Sequence, residues 1–219
     1  MPVITTLDLS PLEGLSVRTA RLELRLPGLD ELEQLAQSAA RHGVHPREQM
    51  PFLVPWTDSI REPSFLEEFI AYHAGRRAVW RPDEWELELG VWADGELVGV
   101  QAIGGESFGT IRTTSTGSWL TLPNQRRGIG SEMRSAVLHL AFEGLGAVAS
   151  ESGALDGNVA SARLSVRLGY EAVGSRVVTV QGKLRREEQY RLTRERWRQF
   201  KHAPVEIVGL QDCLELFGV

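Results

Sequence analysis

The stretch LPNQRRGIGSEM, residues 122–133, sets two arginines and two glycines between a proline and a run with helical apolar spacing. A strand that turns at Gln125-Arg126-Arg127-Gly128-Ile129-Gly130 and opens straight into a helix at Ser131 presents successive free backbone N–H groups at the positive end of the helix dipole. Such a turn suits a phosphate. A side chain at 128 or 130 would hold an anion away from those amides, and Arg126 and Arg127 can add charge-assisted hydrogen bonds. Taken alone, the same residues also read as an ordinary helix start with two solvated arginines. They match neither the Gly-Lys-Ser/Thr phosphate loop nor the GxGxxG dinucleotide fingerprint, because Met133 stands where the third glycine belongs.

A second stretch, NVASARLSVRLGY (158–170), places Asn158, Ser161 and Ser165 on one polar stripe of a helix and Ala160, Leu164 and Leu168 on an apolar one. Asn158 in that position also reads as a plain helix cap and the serines as exposed.

Around these stretches, strand-like and helix-like patterns alternate, which predicts an α/β or α+β domain. Arg21 to Leu26 alternates as a half-buried strand, Leu29 to Ala40 and Ser64 to Ala78 have helical spacing, and Trp85 to Val91 turns at Asp94-Gly95 into Leu97 to Ile103. Thr113 to Leu122 is a strand leading into the turn. Ile129, Met133, Ala136, Val137, Leu140 and Ala141 recur at helical spacing after it. Ala147 to Ser150 is a short strand, Gly157 to Leu168 a helix, and Val173 to Val180 with Leu184 to Leu192 a hairpin turning near Gln181-Gly182. The tail adds an edge strand and a short helix. Between His42 and Ser59, three prolines alternate with Phe52, Val54 and Trp56, an unusually apolar loop of the kind that lines sites.

The pair of stretches resembles the two signature regions of the GNAT superfamily of acyl-CoA N-acyltransferases, Q/R-x-x-G-x-G/A as QRRGIG and the N-x-x-S/A region as NVASARLSVRLGY. TARLELRLPGLDELEQL and GSWLTLPNQRRGIGSEM look like the ribosomal-protein N-terminal acetyltransferase (Rim-like) branch. MPFLVPWTD, ELVGVQAI, GSWL and RLTRERW look closest to a mycobacterial succinyl-CoA-dependent member. The resemblance covers most of residues 18–200 and implies one GNAT domain over 1–219, with 201–219 as a C-terminal extension. It implies a mixed, mostly antiparallel sheet, flanked by helices and splayed between the family's fourth and fifth strands.

It further implies a coenzyme A thioester, acetyl-CoA or succinyl-CoA, as acyl donor. Trp119, Leu120, Thr121 and Leu122 would pair with the pantetheine arm. Gln125, Arg126, Arg127, Gly128, Ile129, Gly130 and Ser131 would hold the pyrophosphate, and Asn158 and Ser161 would contact the arm near the sulfur. The Leu120 N–H is the family-like oxyanion donor. Many relatives carry a tyrosine acid seven residues after the motif asparagine; here that position is Ser165, so the acid role falls to Ser165, Ser161 or a water. Glu151, read as lying just past the fifth strand, is the first candidate for general base, ahead of Asp156 and Glu106. The acceptor is an amine, of a small molecule or a protein, with Phe52 and Trp56 as candidate lining. Arg112 and Arg61 are candidate partners of a succinyl carboxylate.

Two rival readings are a CoA-binding sensor or assembly module without turnover, and a serine hydrolase on GESFG, residues 105–109. The hydrolase requires a strand, a sharp turn and a helix, whereas Thr110 to Thr116 reads as extended. The chain has 219 residues, a net charge of −5 and one cysteine, so a disulfide framework is excluded and nothing global points to nucleic acid. The segment MPVITTLDLS lacks leader features and no apolar run spans a membrane, giving a cytoplasmic expectation. His42-x-x-His45 lacks a third ligand, so no metal is expected. The apolar tail VEIVGLQDCLELFGV leaves room for a homo-oligomer or for packing on its own domain.

Overall fold

The computed structural model describes residues 7–219; the leader-free reading of the first six residues lies outside that range. The strands are β1 (Ser16–Arg18), β2 (Leu22–Arg25), β3 (Glu84–Ala93), β4 (Glu96–Glu106), β5 (Thr113–Leu120), β6 (Ala149–Leu155), β7 (Glu171–Val180), β8 (Lys183–Thr193) and β9 (Glu206–Val208). The helices are α1 (Leu29–His42), α2 (Phe65–Ala78), α3 (Phe108–Ile111), α4 (Ile129–His139), α5 (Val159–Arg167) and α6 (Arg194–Trp197). The strands form one sheet in the order β7-β8-β6-β5-β4-β3-β2-β1-β9. Every neighbouring pair is antiparallel except β5 with β6.

Burial alternation decides which helices cover which face. On β3 the odd positions Leu87, Leu89 and Val91 join Ile129, Met133, Ala136 and Val137 of α4 in the main core. On the opposite face, Leu32, Leu35 and Ala36 of α1 and Phe65 and Phe69 of α2 pack against Val100 of β4, with Trp119 and Trp56 at the margin. Each such side chain contributes on the order of 1.5–3 kcal/mol when fully buried. The even positions Glu86 and Glu88 face α2, where they pair with Arg76 and His73.

The feature that matters for chemistry is how briefly β5 and β6 stay together. Only Thr113, Thr114 and Ser115 pair with Ala149, Ser150 and Glu151. Beyond Ser115 and Glu151 the two strands have no further paired positions, while β5 keeps its partners on β4 as far as Leu120. This is the splay that the resemblance implies, here between β5 and β6 because the short strand β1 advances the count.

Three local expectations need correction. The strand read as Ala147 to Ser150 runs from Ala149 to Leu155, so Glu151 lies within it rather than past it. Before Leu155 its buried side chains are small (Ala149, Ser150, Ser152, Ala154), and weak hydrophobicity hid the strand's length. Ser107 adopts φ 50° and Phe108 to Ile111 form a helical turn, so Thr110 is helical rather than extended. Burial of Phe108 in the core overrides the β-branched preference there. On α5, Ala160 is exposed and Ser165 is fully buried, which inverts part of the expected apolar and polar stripes. The tail packs on its own domain: β9 pairs with β1, and Cys213, Leu216 and Phe217 are core residues.

Candidate active site

The turn after β5 has the backbone geometry of a nest. Arg126 at φ 60° and Gly128 at φ 84° are left-handed, a conformation that turns successive N–H groups to one side. Ser131 and Glu132 donate back to the Gly128 carbonyl, but the N–H groups of Arg126 through Gly130 have no hydrogen-bond acceptor among the described residues. Gly128 answers a backbone demand. Gly130 does not, because a Cβ there would meet only Leu120 Cδ1 at 3.9 Å. The turn is held by side chains: Gln125 Nε2 donates to the carbonyls of Val44 (2.6 Å) and Leu120 (2.9 Å), and Arg127 Nη1 donates to Asn124 Oδ1 at 3.0 Å. Arg21 bonds Glu132 in the first turn of α4. A cavity of about 660 Å³ opens beside this turn, lined in part by Gly128, Ser131, Arg167 and Lys201.

The direction of the β5 backbone follows from one bond. Thr121 N donates to Val98 O at 3.1 Å, and antiparallel alternation then aims the polar groups of Trp119 at Val100 and those of Leu120 and Ser118 away from β4, into the gap. Leu122 spends its N–H on Gly43 O at 3.0 Å. Of residues 119–122, only Leu120 therefore offers an N–H to the gap, with its carbonyl taken by Gln125.

Across the gap, Asn158 caps α5, its Oδ1 accepting from Ser161 N at 3.1 Å while its Nδ2 donates to Pro51 O at 3.4 Å. Ser161 is half-buried and Ser165 fully buried. The loop after α1 bridges the mouth. His45 Nε2 contacts Thr57 Oγ1 at 2.7 Å, Asp58 accepts from Gln181 in the β7–β8 turn, and Trp56 packs on Trp119 with ring centroids 5.3 Å apart. Phe52 lies 5.5 Å from Trp56, so both loop aromatics join one wall.

The acid and base candidates separate by face. Register puts Glu151 level with Ser115 and hence on the Trp119 face, where it is exposed and ion-paired with Arg191 of β8. Asp156 pairs with Arg185, and Glu106 ends β4 far from Leu120. Arg112 stands just before β5 over the Phe108 ring, at the paired end of the β5–β6 opening, and Arg61 is exposed after the turn that carries Trp56. Ser107 makes no side-chain hydrogen bond to a histidine or carboxylate among the described residues, leaving the elbow without a base.

Sequence reading missed the groups beneath the gap. Arg134 of α4 is 4% exposed and touches Ser118, Ser152 and Ser165. Beside it the Tyr170 hydroxyl meets Ser150 Oγ at 3.1 Å; burial pushes that phenol up against the opposing pull of Arg134. A signal existed. Arg134 precedes Val137, Leu138 and Ala141 by three, four and seven residues, the inward stripe of the helix.

Residues 21–171 match the family described as Acetyltransferase (GNAT) domain. Among solved structures, the chain is similar to a putative ribosomal-protein-serine acetyltransferase from Vibrio cholerae, at 25% identity over 81% of this chain and 97% of that one, TM-score 0.62. It is similar in fold to Mycobacterium smegmatis RimJ in complex with a CoA disulfide, at 17% identity over 93% and 95%, TM-score 0.68. A third similar fold is RimL, a ribosomal L7/L12 alpha-N-protein acetyltransferase in complex with coenzyme A, at 17% identity over 80% and 95%, TM-score 0.63. The family match spans more than half of the chain and agrees with a mixed sheet that opens beside a glycine turn, and so the chain belongs to the GNAT acetyltransferase family.

Proposed function

We propose that this protein transfers an acetyl or succinyl group from coenzyme A to a primary amine by direct attack within a ternary complex. The observation that carries the reading is the run of free N–H groups from Arg126 to Gly130, in the turn that follows the gap-facing Leu120 N–H. The nest fits a pyrophosphate, and Gly130, which the fold itself does not require, gives it close approach. Asn158 and Ser161 border the path of the pantetheine arm.

In the reaction the amine nitrogen bonds to the acyl carbon, the C–S bond breaks with its electron pair on sulfur, and the amine loses a proton. The Leu120 N–H is assigned to the thioester oxygen as it gains charge. Glu151 is assigned as proton acceptor, because it shares the Trp119 face with the aromatic wall and stands opposite the Ser165 side. Ser165 and Ser161 are assigned to the sulfur. An α-amine has a pKa near 7.7–8.0 and needs little deprotonation, which together with the ribosomal-protein relatives favours a protein N-terminus as acceptor. Among the described residues no helix is long and apolar enough to cross a membrane, and we place the reaction in the cytoplasm, with no nucleic acid as substrate.

Calorimetric titration with acetyl-CoA, succinyl-CoA and free CoA tests this. Saturable binding lost in Gly130→Glu supports the nest; absence of binding to all three overturns the proposal. The tighter donor then enters a screen of peptide N-termini, lysines and small amines.

A further inference from the structure

We propose that Arg134, acting through Ser165 and Ser118, receives the negative charge that collects on the sulfur as the C–S bond breaks. This rests on the acyl-CoA reading above.

A buried guanidinium normally faces a carboxylate. Among the described residues Arg134 has none: Nη1 reaches Ser165 Oγ at 3.3 Å and Ser152 Oγ at 3.4 Å, Nη2 reaches Ser118 Oγ at 3.4 Å, and Nε has no partner. Three long bonds to neutral hydroxyls leave a five-donor cation undersupplied. Burial accordingly pulls the guanidinium below its ordinary range. Buried charges of this kind are often replaced by apolar side chains of similar size without loss of stability. An anion is what the group lacks.

Position identifies the anion. The serines come from β5, β6 and α5, and Ser118 and Ser152 lie just past the last β5–β6 pair, Ser115 with Glu151. α4 runs back from the nest beneath β5, so Arg134 stands level with Ser118, roughly 7.5 Å from the helix start at 1.5 Å per residue. An arm anchored at the nest and laid along β5 leads toward this apex. The thioester arriving there is neutral, and the sulfur becomes anionic only as the bond breaks. A preformed cation then favours the transition state over the ground state. Ser165 and Ser118 accept from Arg134 and keep their own hydrogens for the sulfur, which makes Arg134 a positioning residue. The thiolate takes its proton from solvent on release, and the amine's proton leaves by the base.

The test compares free CoA with desulfo-CoA, which lacks the sulfur, by calorimetry from about pH 6.5 to 9.5. No acceptor is needed. In the wild type the preference for CoA over desulfo-CoA should grow about tenfold with pH, the gain from lowering a bound thiol's pKa by one unit beside a cation. In Arg134→Met it should be flat, with Arg134→Lys and Ser165→Ala between the two. Thermal melts check that Arg134→Met folds; if it does not, Arg134→Lys and Ser165→Ala carry the comparison. A flat preference in the wild type with both analogues bound, or a wild-type slope kept in folded variants, overturns the proposal alone. Affinity lost in Arg134→Met for succinyl-CoA but not acetyl-CoA overturns it in favour of a carboxylate receptor. No binding of either analogue overturns the acyl-CoA reading as well.

Discussion

Gln125 Nε2 donates to the Leu120 carbonyl at 2.9 Å, closing the exit of β5 onto the turn that follows it. The same nitrogen bonds Val44 O at 2.6 Å, so one amide ties the end of β5, the turn before α4 and the loop after α1 together. Gln125→Leu removes both bonds and strands two carbonyls. We expect a stability loss of about 1–3 kcal/mol in chemical denaturation and a several-fold rise in KM for acyl-CoA with a smaller change in kcat.

The two glycines of the nest should fail differently. Gly128→Ala forces a side chain into φ 84° and should cost on the order of 1 kcal/mol. At Gly130 an added Cβ meets only Leu120 Cδ1 at 3.9 Å, so the melting temperature of Gly130→Glu should stay near wild type while CoA affinity is lost. A Gly130→Glu variant that still binds CoA would remove the nest from the site.

The aromatic wall should serve the acceptor side. Trp56 packs on Phe65, Phe69 and Trp119, and Trp56→Ala should destabilise by roughly 2–4 kcal/mol. It should raise the KM of the amine while leaving the Kd of CoA within about twofold. Equal loss for both substrates would mean that the loop organises the whole cleft.

Stability near pH 4 should follow Glu31. Its hydrogen bonds from Arg25 and from Gly28 N hold this carboxyl below the usual range. A depressed folded pKa gives stability that is present above the unfolded value and is lost as pH falls through the folded one. Glu31→Gln should therefore lower the melting temperature slightly at pH 7, and the gap to wild type should close on acidification below about pH 4. A gap that persists into acid would mean that packing, not charge, links α1 to β2.

The elements near the turn were legible because their causes are local. Alternation in RLELRL, the stop at Pro27-Gly28 and the apolar spacing after Gly130 depend only on neighbours along the chain. QRRGIG likewise carries its turn geometry in its own backbone preferences. Three things were not legible. The length of β6 rests on small side chains buried by their neighbours, and the inward turn of Ser165 on what lies across the gap. Arg134 reads as a solvated charge until α4, β5, β6 and α5 are brought together. By itself the sequence determined the order of elements and the nest. Only the tertiary structure decided where β5 and β6 part and which charge is left beneath the opening. Pairing and desolvation are set by residues distant in the chain and adjacent only once folded.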